Sequence, residues 1–66
     1  MFKIGDFVCA RQQLGEFGHQ SFIPESHPGT IVAINDNLKY GITVKFALMK
    51  EWRCRESDIR ILERIG

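Results

Sequence analysis

Pro28-Gly29-Thr30-Ile31-Val32-Ala33-Ile34, Asn35-Asp36-Asn37 and Tyr40-Gly41-Ile42-Thr43-Val44-Lys45-Phe46 decide the fold. The first stretch is β-branched and apolar, which suits a pleated, half-buried surface. The second is turn chemistry, because Asn and Asp tolerate left-handed backbone and bond to their own main chain. The third alternates strictly, with Tyr40, Ile42, Val44 and Phe46 on one face and Gly41, Thr43 and Lys45 on the other. Residues 30–46 are therefore predicted to form a β-hairpin.

Working outward, the same grammar recurs on both sides. Gly5-Asp6-Phe7-Val8-Cys9-Ala10-Arg11 opens with a turn and then alternates, Val8 and Ala10 against Phe7, Cys9 and Arg11. After the hairpin, Ala47-Leu48-Met49-Lys50 reads as a connection or a continuation of the arm. Glu51-Trp52-Arg53-Cys54-Arg55 puts Trp52 and Cys54 on one face, with Arg53 and Arg55 on the other. Glu56-Ser57-Asp58-Ile59 fits one 3-10 turn, and Arg60-Ile61-Leu62 then adds a last strand. Five strands at this spacing predict an all-β, five-stranded small barrel over residues 1–66 as a single domain.

One stretch breaks the rhythm. Residues 12–27 hold Gly15, Gly18 and Pro24, show no period, and form a first loop longer than compact domains ordinarily use. Loops of that length tend to carry function. Phe17 and Phe22 within it are the candidate contacts.

Charge and composition narrow the possible functions. The chain has 66 residues and a formal net charge of +1, far from the strongly basic balance of a dedicated nucleic-acid domain. The charge is uneven: residues 1–38 hold two basic and four acidic side chains (−2), residues 39–66 seven and four (+3). No apolar run approaches the roughly 18 residues of a membrane helix. Met1-Phe2-Lys3-Ile4 lacks a signal peptide's apolar stretch, so the expected location is cytoplasmic. In that compartment Cys9 and Cys54 read as reduced thiols. With His19 and His27 they are the soft metal ligands, all far apart in sequence where structural zinc sites use close pairs. No metal or cofactor is expected. A chain this small buries a modest share of its surface, which makes self-association a standing expectation.

These segments resemble a known family. Gly5-Asp6-Phe7-Val8-Cys9-Ala10, Pro28-Gly29-Thr30-Ile31-Val32, Tyr40-Gly41-Ile42-Thr43-Val44-Lys45-Phe46 and Asp58-Ile59-Arg60-Ile61-Leu62 resemble Tudor and Agenet domains, across nearly all the chain outside residues 12–27. The resemblance implies an SH3-like, Tudor-like barrel and an aromatic cage for a methylated residue. Tyr40 and Phe46 match the cage region, with Phe22 a looser match; Ala47-Leu48-Met49-Lys50 stands where the family has a further aromatic. Gly5-Asp6-Phe7-Val8, Gly29-Thr30-Ile31-Val32 and Leu62-Glu63-Arg64-Ile65 also resemble the plasmid-type (type II) dihydrofolate reductases. Their catalytic Val-Gln-Ile-Tyr would fall on Cys54-Arg55-Glu56-Ser57, which differs at all four positions.

The function expected from the sequence is a non-catalytic interaction module that binds a protein partner or itself, through Phe17, Phe22, Tyr40, Phe46 and Trp52. Aromatics dominate the energetics of such surfaces. Trp52 reads first as a core residue beside Cys54 and second as an exposed platform with Tyr40. The alternative is a nucleic-acid contact through Lys45, Arg53, Arg55 and Arg60; an oligomeric reductase-like enzyme ranks third. The small size and the start at Met1 suggest a mobile-element or phage accessory protein.

Overall fold

A computed structural model describes residues 1–15 and 22–64. At its centre is the hairpin. Strand β4 (Pro28–Ile34) and strand β5 (Ile42–Phe46) pair antiparallel from Gly29↔Phe46 to Ile34↔Ile42, with a bulge between Ile31 and Ala33. The connecting turn closes as its sequence requires. Asn35 accepts the Asn37 N–H on its Oδ1 at 3.1 Å, and its own N–H donates to the Gly41 carbonyl at 2.8 Å. Only glycine fits at position 41, because a Cβ there would lie 2.0 Å from the Asn35 carbonyl oxygen.

Five further strands and one helical turn complete the described residues. They are β1 (Phe7–Ala10), β6 (Glu51–Cys54), β7 (Ile59–Glu63) and the 3-10 helix Glu56–Asp58, besides the short pair β2 (Leu14–Gly15) and β3 (Phe22–Ile23), which forms its own two-stranded sheet. The main sheet is antiparallel and runs β6-β5-β4-β1-β7. Five strands and a 3-10 turn before the last agree with the sequence reading. Closure of that sheet into a barrel is not seen: among the described residues β6 and β7 are edges without a ladder between them. The architecture is a five-stranded antiparallel sheet with a small hairpin beside it.

The first loop also differs from expectation. Leu14 pairs with Ile23 and Gly15 with Phe22, and both Leu14 and Ile23 enter the core. Two-residue strands leave no period to read, so this hairpin is invisible to pattern analysis.

Alternation sorts the core on β5, β6 and β7 and on β4 as far as its bulge, beyond which Ile34 takes the inward place. Ile42, Val44 and Phe46 from β5, Ile31 from β4, Cys54 from β6 and Ile59 from β7 meet under the sheet with Val8 and Ala10. Gly29 allows a close approach within the sheet, since a Cβ there would meet Val44 Cγ1 at 2.7 Å. In β1 three consecutive residues are buried, Cys9 included. This strand is flanked on both sides, and Cys9 sits on the second face between its cross-strand partners Pro28 and Arg60. Among the described residues no helix is long and apolar enough to cross a membrane.

Candidate interaction site

The β5–β6 connection, Ala47 to Lys50, builds the site. It contains no glycine, and Leu48 takes a left-handed backbone (φ 62°) while its side chain is fully exposed. A leucine in that backbone region is strained, so the turn must be held from outside. His27 does this, its Nε2 2.7 Å from the Ala47 carbonyl, with the Nε2–H as the donor. The Ala47 N–H donates to the Pro28 carbonyl at 2.9 Å, the Met49 N–H to the Phe46 carbonyl at 3.1 Å, and Lys45 Nζ to the Met49 carbonyl.

Held this way, Leu48 and Met49 face the first-loop hairpin across a groove. Phe22 and Ile23 from β3 line one side; Leu48, Met49, Lys50, Glu51 and Trp52 line the other. Its volume is about 360 Å³, at the small end for a ligand pocket and the size for one or two side chains. Trp52 takes its expected place against the core, but it does not form the expected platform with Tyr40. It is half-buried, packs against the core from a position opposite Val44, and presents the rest of its ring to the groove.

The structure thus unites two of the sequence candidates, Phe22 and Trp52, and separates the others. Phe46 lies wholly inside the core, its ring centroid 6.1 Å from that of His27, so it packs the interior and offers nothing to a partner. An aromatic cage cannot include it. Tyr40 is about half exposed but belongs to the 35–41 turn, at the opposite end of β5 from Leu48. At about 3.4 Å per residue the strand alone keeps its two ends some 14 Å apart. Phe17 lies outside the described residues.

Tyr40 has other neighbours. The Arg55 guanidinium lies 5.1 Å from its ring centroid and Lys39 Nζ 6.0 Å, within reach of cation–π attraction. Arg55 also clasps Asp58: Nη2 to Oδ1 at 3.0 Å, Nε to Oδ2 at 3.3 Å, and the backbone N–H to Oδ2 at 2.9 Å. Burial pushes the Asp58 carboxyl up, but the hydrogen bonds and charge of Arg55 outweigh it and hold Asp58 below its ordinary value. This clasp fastens the 3-10 turn, and the Asp58 carbonyl accepts the Arg11 N–H at 2.9 Å, joining the turn to the end of β1. Beside it the 35–41 turn, the 3-10 turn and the N-terminus enclose a wider groove of about 850 Å³.

The basic candidates do not form one patch. Lys45 and Arg53 are exposed on neighbouring strands, in register with Glu51 and Thr43. Arg55 is committed to Asp58. Arg60 lies on β7, with three strands between it and Arg53. Burial, and then the nearby Asp58 charge, push the Cys54 thiol up to about 12, which keeps it protonated at neutral pH. Among the described residues no cluster of three or more His, Cys, Asp or Glu is arranged to hold a metal ion.

Sequence reading missed Leu48, Met49 and Ile23. A hairpin connection of Ala-Leu-Met-Lys, with none of the usual turn residues, was the available signal: such a turn exposes apolar side chains at a tip. No protein-family model matches the chain, and neither does a curated protein or a solved structure. The fold and site define a small all-β protein with a five-stranded antiparallel sheet.

Proposed function

We propose that this chain is a small, non-catalytic interaction module of the SH3-like, Tudor-like type that binds a protein partner or itself. The observation that carries the reading is the groove at Phe22, Leu48, Met49 and Trp52, with a leucine held fully exposed on strained backbone beside it. Strain of this kind persists where the surroundings impose it, and it gathers at functional sites. An aromatic anchor beside a small apolar pocket is the arrangement that carries binding energy at protein surfaces. The SH3-like assignment draws support from the sheet order, in which first and last strands are neighbours, and from the 3-10 turn before the last strand.

The non-catalytic reading draws support from what the reactive side chains already do. His27 holds the turn, Asp58 holds Arg55, and Cys54 is a buried, protonated thiol. A nucleic-acid contact through Lys45, Arg53, Arg55 and Arg60 is the alternative reading, and it must draw on side chains that are dispersed or engaged.

Selection of binding peptides from a random display library tests the proposal. The expected ligands carry an apolar side chain, lose at least about tenfold in affinity against Leu48→Ser, and change little with salt. Ligands indifferent to Leu48→Ser and Trp52→Ala would refute the groove. Steep weakening of an oligonucleotide complex between about 50 and 200 mM salt would favour the phosphate reading instead.

A further inference from the structure

We infer that β6 is the contact edge of a two-fold dimer, in which the strand pairs antiparallel with its own copy about Trp52. The inference rests on the interaction-module reading and names the partner as a second copy of this chain.

The main sheet has two edges, β6 and β7. The β7 edge is blunted in the ways that natural sheets avoid edge pairing. A bulge at its end sets Phe7 against Glu63 and Val8 against Ile61, leaving Leu62 as the extra residue. Arg64 just beyond it donates to the Met1 carbonyl at 2.8 Å, tying this end of the strand to the N-terminal segment. The β6 edge has neither device. Its ladder with β5 runs from Ile42↔Cys54 to Lys45↔Glu51 without a register shift, and the strand contains no proline. Among the described residues no backbone hydrogen bond reaches it from outside its sheet.

Charge selects both the partner and the register. A dyad normal to the sheet must pass through one residue of the strand, because the pleat has to match on both copies. Centred on Arg53, it sets Arg53 against Arg53 of the second copy; centred on Glu51, it sets carboxylate against carboxylate. Centred on Trp52, it sets Glu51 against Arg53 of the second copy, and this happens twice by symmetry. Glu51 and Arg53 are both exposed, and both lie on the face opposite the core. Glu51 already has Lys45 as its neighbour across β5, so its carboxylate would stand between two cations. On the other face the half-buried Trp52 would meet its own copy, an aromatic cross-strand pair. The result is one continuous antiparallel sheet through both chains. Because the edge is short, the association is weak and concentration-dependent.

The experiment is sedimentation equilibrium of the full chain from about 10 μM to about 1 mM, alongside peptide binding at the groove. The wild type is expected to show a reversible monomer–dimer equilibrium. Arg53→Glu and Glu51→Arg should each weaken it at least about tenfold, since like charges opposite one another repel. The doubly swapped chain, E51R/R53E, should recover most of the loss. Both positions are exposed, and circular dichroism checks each fold; if one single swap unfolds, the other and the double swap decide. A chain that stays monomeric, a dimer indifferent to both single swaps, or a double swap without recovery overturns the pairing. A monomer that still binds selected peptides through Leu48 overturns the dimer alone, whereas a monomer that selects no peptide overturns the groove as well.

Discussion

The two edges of this sheet begin from similar material and end differently. Both are short strands with charged outward residues, Glu51 and Arg53 on β6, Arg60 and Glu63 on β7. On β7 a bulge, the Arg64 contact to the N-terminus and the clasped 3-10 turn absorb the edge into the fold. On β6 the ladder is regular, and the strand runs beside a groove topped by Leu48. An open sheet edge invites pairing unless the chain prevents it. One edge is irregular and tied to neighbouring segments, and the other is regular and left open.

The largest effect would abolish the comparison altogether. Phe46 lies beneath the centre of the sheet, wholly buried, so Phe46→Ala should cost about 3–5 kcal/mol. Urea unfolding is expected to register it as loss of the whole sheet; a change confined to binding, with stability intact, would place Phe46 at the surface after all.

A second change should break only the closed side. Asp58→Ala removes the acceptor for Arg55 and is expected to cost roughly 1–3 kcal/mol, with groove binding retained. Asp58 also gives the pH dependence its sign. Its folded value lies below the ordinary one, so the charged form contributes stability that is present above about pH 4 and is lost as pH falls through the folded value. Asp58→Asn should flatten that acid limb. An unchanged limb would remove Asp58 from the account.

The smallest change sharpens the open side. Glycine at position 48 adopts the left-handed backbone without strain, so Leu48→Gly should raise stability by about 1 kcal/mol while weakening groove ligands. Gain of stability with binding intact would mean that the exposed leucine is incidental.

Much of the fold was legible in the sequence, and the remainder had physical reasons to be hidden; the open edges were not read, because the strand spacing pointed to a closed barrel. Alternation from Thr30 to Phe46 and turn chemistry at Asn35 gave the hairpin, and the acidic turn at Glu56–Asp58 gave the 3-10 helix. The same alternation misled at Tyr40, because the strand starts at Ile42 and the Asn35–Gly41 hydrogen bond turns the chain before it. The Tudor-like resemblance grouped Phe46 with the candidate contacts: a face can be read from period, but whether that face is interior depends on what packs beneath it. Phe22 and Trp52 were both singled out, yet their meeting depends on a two-residue pairing, Leu14↔Ile23 and Gly15↔Phe22, that no sequence period encodes.

Amide hydrogen exchange on the full chain, followed residue by residue as concentration rises, tests the contrast between the edges most directly. The account predicts that the β6 amides not bonded to β5 become slower to exchange at high concentration, while those on the outer side of β7 keep their rates. Rates at β6 that ignore concentration, or protection that grows equally at both edges, would contradict it.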